Sequence, residues 1–308
     1  MTNQDDGAMA RVRMHDDEVF TDADQVQRLL AAQFPQWAGL PVRPVHSHGT
    51  DNTIWRLGET LAVRMPRRPG AVAHIDKELR WLPHLAPHLP VAIPIPVAKG
   101  EPGESYPWPW SVCAWLEGEN PDPARVADRQ ELARDLARFL TALRAIDATG
   151  APRPGARNFG RGVPLAVRDP ATRTAIVALR DMIDTKAVTS QWEFALDAPV
   201  WSGPPVWIHG DLNAGNVLLR DSHLSGVIDF GGMAAGDPAC DLLAAWYVFG
   251  REGRAAFRDA LGADEASWAR GRGWALSTAL NALTYYRDTN PAIVASALRA
   301  IGELLADS

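Results

Sequence analysis

Cysteine is nearly missing from this chain: Cys113 and Cys240 are the only two among 308 residues. Two thiols cannot build a disulfide framework or a four-ligand zinc site, so both read as reduced, buried side chains. Lysine is as scarce. Lys77, Lys99 and Lys186 are the only three, so 28 of the 31 basic residues are arginine. No stretch reaches the roughly 18 consecutive apolar residues that a membrane helix needs. The opening residues, Met1-Thr2-Asn3-Gln4-Asp5-Asp6, lack the basic start and apolar run of a secretory signal. Positive charge is not in excess either. The formal charge is −6, whereas a dedicated nucleic-acid binder is usually basic. These absences predict a cytoplasmic protein with neither nucleic acid nor membrane as partner.

What is present is ordinary globular composition, 46% hydrophobic and 22% charged. The length exceeds what one compact core usually holds, which favours two lobes. Residues 1–20 form an N-terminal arm, with 1–18 expected to be frayed or weakly docked. Thr21-Asp22-Ala23-Asp24 then offers capping oxygens, and Val26, Leu29, Leu30 and Phe34 follow at helical spacing. Two strands read over 53–57 and 60–65, joined by a turn at Gly58-Glu59, with the turn-rich Gly49-Thr50-Asp51-Asn52 just before them. A helix fits about 70–85. Eight prolines between Pro83 and Pro109 exclude regular helix there and confine strands to short or edge positions. Residues 110–116 form the next strand, and the lobe boundary follows, giving an N-lobe over 21–117 and a C-lobe over 118–308. The C-lobe reads as mainly helical. Helices fit about 127–147 and 169–185, the second opened by Asp169-Pro170; short strands cluster at 206–208, 217–219 and 225–229; helices dominate from 238 onward.

Chemistry concentrates between 207 and 241. The strand Trp207-Ile208 runs into His209-Gly210-Asp211, Asn216 lies five residues after Asp211, and Ile228-Asp229-Phe230-Gly231 ends a second apolar run. A buried, unpartnered carboxylate costs several kcal/mol, so an Asp at a strand end normally meets a cation or strong donors. Three oxygen-bearing groups from neighbouring elements suit Mg²⁺, a hard cation that takes few protein oxygens and keeps positions for phosphate and water. The order Asp, Asn, then Asp-Phe-Gly is the kinase pattern.

His209-Gly210-Asp211, Ile228-Asp229-Phe230-Gly231 and Gly236-Asp237-Pro238-Ala239-Cys240-Asp241-Leu242 together resemble the aminoglycoside phosphotransferase family, in a form similar to actinobacterial members. The resemblance spans about 40–305. It implies an α+β protein-kinase-like fold, with an antiparallel sheet plus helices in the N-lobe and a mainly helical C-lobe. It implies an ATP- or GTP-dependent, Mg²⁺-dependent O-phosphotransferase acting on a hydroxyl of a small molecule. Aminoglycosides lead the acceptor classes, with a macrolide or other hydroxylated metabolite as the alternative and a non-catalytic nucleotide-binding regulator as the third reading. By resemblance Asp211 is the catalytic base, Asn216 and Asp229 hold Mg²⁺, His209 supports the catalytic loop and Asp241 braces it. Arg64 stands where the family has a strand lysine, with Glu78 as its helix partner. Gly49, Thr50, Asp51 and Asn52 form the turn over the phosphates. Cys113, Ala114 and Leu116 line the adenine hinge. An aminoglycoside would need carboxylates on the C-terminal helices, for which Asp259, Asp264, Glu265, Asp288 and Glu303 are available. Trp246 and Tyr247 are expected to line the cleft. Asp237 is expected to cap the helix that begins at Pro238.

Overall fold

The computed structural model describes residues 17–45, 49–122 and 129–307. Its N-terminal half is built on one antiparallel sheet of β1 (Val42–Pro44), β2 (Asn52–Leu57), β3 (Leu61–Pro66), β4 (Pro96–Gly100) and β5 (Trp110–Ala114), in the order β1-β2-β3-β5-β4. Helix α1 (Ala23–Gln33) starts at Asp22, whose side chain accepts a hydrogen bond from the Gln25 backbone N–H. It lays Val26, Leu29 and Leu30 on Trp55, Leu57, Val63, Met65, Trp110 and Val112, forming one apolar core. Strand alternation then decides where Arg64 goes. Val63 and Met65 point into that core, so Arg64 between them faces the opposite side. Cys113 faces away from the core in the same way beside Val112, and Arg64 is paired across the ladder with Ser111.

Helix α2 (Pro69–Leu85) covers the Arg64 side, with Pro69 in its first turn. Pro83 lies inside its last turn, and the helix ends at Leu85, the end of its expected range. That close to the helix end, a missing N–H and a crowded carbonyl are tolerated. Leu82 and Leu85 pack into the core of the C-terminal half, which makes α2 common to both halves. β4 is an edge strand, as its prolines require. The described part of the N-terminal arm is docked rather than frayed. Val19 donates its backbone N–H to the Arg67 carbonyl at 2.8 Å, and the buried Glu18 carboxylate pairs with Arg67 at 3.4 Å. Residues 1–16 lie outside the described residues.

The C-terminal half is mainly helical: α3 (Arg129–Ala145), α4 (Asp169–Ala178), α5 (Thr185–Leu196), α6 (Ala244–Tyr247), α7 (Arg251–Leu261), α8 (Glu265–Tyr286) and α9 (Pro291–Ala306). Two small antiparallel ladders carry the chemistry-bearing segment, β6 (Val206–Ile208) with β9 (Ala234–Gly236) and β7 (Val217–Arg220) with β8 (His223–Val227). The helix expected to run to about 185 is shorter, and a second, unexpected helix follows it. α4 stops at Ala178, and Asp184 caps α5 by accepting from the Lys186 and Ala187 N–H groups. Asp169 does not cap α4. Its carboxylate accepts instead from the Trp192 indole at 2.7 Å and from Arg173 at 2.8 Å. The last strand of the cluster sits earlier than expected, ending at Val227, so Asp229 stands beyond it rather than on it. Among the described residues no helix is long and apolar enough to cross a membrane.

Candidate functional site

Strand β6 delivers the chain to His209-Gly210-Asp211. The buried Asp241 carboxylate holds this turn from below, accepting the His209 N–H at 2.9 Å on one oxygen and the Gly210 N–H at 2.7 Å on the other. Gly210 has φ +85, and a Cβ there would lie 2.5 Å from the Gly232 carbonyl oxygen. That contact explains why glycine precedes the aspartate. The His209 ring is buried against Phe230, with centroids 4.6 Å apart. Its Nε2 lies 3.0 Å from the Ile228 carbonyl oxygen and its Nδ1 accepts the Asp211 N–H at 3.2 Å. A ring occupied on both nitrogens supports the loop and leaves no site for proton transfer.

The two oxygens of Asp211 face different neighbours. Oδ2 receives Asn216 Nδ2 at 3.2 Å and Asn213 Nδ2 at 3.3 Å. Oδ1 lies 3.4 Å from Arg161 Nη2. The Asp211 side chain keeps 38% of its surface exposed. Even so, its surroundings remove enough water to raise the carboxyl above its ordinary value. Arg161 opposes that rise, and the charges of Asp229 and Asp51 add to it. Asn216 immediately precedes β7, and its carbonyl accepts the Ile228 N–H at 2.9 Å, so Asn216 and Asp229 are brought together at the end of the β7–β8 ladder. Asp229 adopts the left-handed conformation, φ 62, and its carboxylate accepts the Gly231 N–H at 3.4 Å. Aspartate tolerates this region better than most side chains, and Asp221 adopts it too, in the turn between β7 and β8.

Across the cleft, Arg64 and Glu78 form a two-pronged pair, Nη1 to Oε2 at 2.5 Å and Nη2 to Oε1 at 3.2 Å. Burial alone would lower the arginine's affinity for its proton. Glu78, with Cys113 and Asp229 in support, outweighs that and holds Arg64 above its ordinary range. Lys77, next to Glu78 on α2, donates to the Gly231 carbonyl at 2.5 Å and to the Met233 carbonyl at 3.4 Å, and burial lowers it to about 8. A search for a lysine on a strand misses it, because its signal is helical spacing with His74 and Glu78.

Thr50 and Asp51 precede β2, which Asn52 opens. Thr50 Oγ1 accepts from the Tyr286 hydroxyl at 3.1 Å, and Asp51 pairs with Arg68 at 2.7 Å. The segment is thereby tied to α8 and to the start of α2, with Asn52 in strand rather than turn; residues 46–48 lie outside the described residues. At the proposed hinge the Ala114 N–H is taken by the Ile95 carbonyl at 3.1 Å and the Trp115 N–H by the Thr60 carbonyl at 2.8 Å. The Ala114 N–H is thus engaged within the N-terminal half. Leu116 has no backbone hydrogen bond among the described residues. Cys113 is buried, with its thiol pushed up to about 11 by burial.

The remaining aromatic and acidic candidates divide. Trp246 is fully buried against Trp268 and donates to Asp307 at 3.2 Å, which makes it core rather than cleft. The Tyr247 hydroxyl is buried within the electrostatic reach of Arg161 and Asp211. Asp237 caps the short helical stretch 238–243, and its carboxylate also pairs with Arg270 at 2.8 Å. Three of the five carboxylates expected to meet a polycation are engaged elsewhere. Asp264 caps α8, Glu265 pairs with Arg258, Glu303 pairs with Arg254, and Asp259 and Asp288 are exposed. Arg161, which does face Asp211, sits in the Pro/Gly/Arg-rich loop before α4 and carried no recognisable pattern.

The profile described as "Phosphotransferase enzyme family" matches residues 41–274. No curated protein sequence matches the chain. Among solved structures, the GDP complex of wild-type aminoglycoside 2'-phosphotransferase-IIIa is similar with a TM-score of 0.71 at 20% identity, covering 93% of this chain and 99% of that one. A macrolide 2'-phosphotransferase of type I is similar at TM-score 0.62 and 22% identity, covering 91% of this chain and 97% of that one. The macrolide 2'-phosphotransferase of Brachybacterium faecium gives TM-score 0.60 and 23% identity, with 91% and 97% covered. At these identities the likeness is one of fold.

Proposed function

The chain belongs to the phosphotransferase enzyme family, and from that membership we propose that it moves the γ-phosphoryl group of ATP or GTP to a hydroxyl of a small molecule. The observation that carries the reading is the gathering of Asp211, Asn216 and Asp229 opposite the Arg64–Glu78 pair. In this reading the acceptor oxygen forms a bond to the γ-phosphorus as the bond from that phosphorus to the bridging oxygen breaks. The nucleoside diphosphate leaves, and the hydroxyl proton goes to Asp211. The half-exposed carboxylate suits a base that must meet an incoming hydroxyl, and its raised proton affinity brings it nearer the working pH. Residues 21–117 would hold the nucleotide and 118–308 would supply the catalytic loop and acceptor side.

The donor set fits Mg²⁺. Asn216 commits its Nδ2 to Asp211 and keeps its amide oxygen as a hard ligand, and Asp229 adds a carboxylate. When bound there, the ion would neutralise charge on the nucleotide phosphates. Arg64 would grip phosphate oxygens with Glu78 fixing its plane, a geometry that a planar guanidinium favours. Leu116 is the hinge position with main-chain groups left for the base. Similar structures holding GDP support a purine nucleotide.

The test is turnover of ATP and GTP with Mg²⁺ across a panel of hydroxylated acceptors, read by phosphorus NMR. Asp211→Ala is expected to lose on the order of 10²–10⁴-fold in transfer while nucleotide binding persists. Transfer retained in a folded Asp211→Ala protein contradicts the assignment.

A further inference from the structure

Asp211 lies between two unlike surroundings. Its Oδ2 faces the asparagines of the metal side. Its Oδ1 faces Arg161, whose other nitrogen bonds Thr278 on α8. Arg168, which closes the same loop, donates to Ser277 on α8 at 3.1 Å and to the Phe159 carbonyl at 3.0 Å, with its guanidinium 5.5 Å from the Trp274 ring centroid. Among the described residues Arg168 meets no carboxylate. Burial, with the like charge of Arg161 added, lowers it to about 10. The Tyr247 hydroxyl adds a buried polar atom with no hydrogen-bond partner, in the field of Arg161 and Asp211.

Two like charges on neighbouring residues repel at a cost that a bound anion would relieve. A polycation approaching Asp211 would meet the Arg161 guanidinium, 3.4 Å from Oδ1, and be disfavoured. On the reading of the chain as a phosphotransferase, we propose that its acceptor carries an anionic group, a carboxylate or a phosphate, beside the hydroxyl it presents to Asp211, and that Arg161 and Arg168 bind that group. Both are specificity-determining residues in this proposal. Their side chains come from the loop before α4 and meet α8 at Thr278 and Ser277.

The experiment compares matched acceptors at fixed Mg²⁺ and nucleotide: gluconate against glucose, glycerol 3-phosphate against glycerol, and the polycation kanamycin. Binding of gluconate and glycerol 3-phosphate to nucleotide-loaded protein is measured alongside by calorimetry. The expected result is at least a tenfold preference in kcat/KM, or in affinity, for an acidic member over its neutral partner, and no turnover of kanamycin. Arg168→Gln and Arg161→Ala should raise the KM or Kd for the acidic compound tenfold or more without raising the KM for nucleotide. Arg161→Lys should restore part of the loss, which a merely structural role would not produce. The proposal is overturned if kanamycin or a neutral acceptor is used as well as the acidic ones. It is overturned too if neither acidic compound binds or reacts, or if both variants lower kcat by one factor for every acceptor, which would place the arginines on the transferred phosphoryl group. Those outcomes leave phosphotransfer itself standing, whereas full activity in Asp211→Asn would remove the catalytic reading instead.

Discussion

A single side chain, Arg64, shows how geometry can replace residue identity. Alternation along β3 puts it on the cleft face, and the two-pronged contact with Glu78 fixes its plane. Arg64→Lys keeps the charge but loses the fork, so the KM for nucleotide should rise severalfold. Arg64→Ala leaves Glu78 buried and unpaired and should cost about 3–5 kcal/mol of stability as well. Steady-state kinetics and denaturant titration check both, and unchanged nucleotide KM in both variants removes Arg64 from the site. The cysteines make a second prediction at this scale. A thiol pushed up to about 11, as Cys113 is, remains protonated at pH 8, where an unfolded thiol near 8.5 is partly thiolate. Native protein should therefore leave a thiol-exchange reagent almost untouched at pH 8, and two equivalents should react once it is denatured. Rapid native labelling would contradict the burial. The grouping of Asp211, Asn216 and Asp229 was legible in the sequence because their spacing within one short segment is local. Arg161, Lys77 and the Tyr286 contact with Thr50 were not, because each reaches the site from a distant element.

The turn between β6 and Asp211 is the element on which the site depends. Asp241 satisfies its two N–H groups with one carboxylate, and Gly210 occupies a conformation and a space closed to any Cβ. Gly210→Ala should destabilise the protein by roughly 2–4 kcal/mol. Asp241→Asn, which turns a donor toward a donor, should cost about 2–3 kcal/mol. Both should lower kcat more than the KM for nucleotide, since the turn aims Asp211. Thermal unfolding with kinetics measures this, and a silent Asp241→Asn would mean the brace is dispensable. At this scale strands were readable where one face is buried, as β2 and β3 are, since alternation betrays them. α4 was read too long because Leu179, Met182 and Ile183 continue its apolar spacing, and α5 was not read because only Asp184 marks its start. β9 escaped notice because Ala234, Ala235 and Gly236 carry no alternation, their pairing with β6 being set by the fold.

For the whole molecule, two cores meet along α2. Leu82 and Leu85 anchor it in the helical half, Glu78 reaches Arg64 in the sheet, and Lys77 holds the Gly231 carbonyl. Nucleotide and Mg²⁺ bound between the halves should stabilise both, by about 2.7 kcal/mol at a hundredfold excess over Kd. The two-lobe, α+β architecture was legible from the change of period near 120. The role proposed for Arg161 and Arg168 was not, because Arg161 reaches Asp211 and both arginines reach α8 only in the fold. The most direct measurement is calorimetric titration of ADP or GDP in the presence and absence of Mg²⁺ on wild-type protein, Asn216→Ala and Asp229→Ala. Wild-type protein should bind one nucleotide at least tenfold more tightly with Mg²⁺, and each variant should lose that increment while keeping its fold and its Mg²⁺-free affinity. A Mg²⁺ increment that survives in both variants would contradict the account.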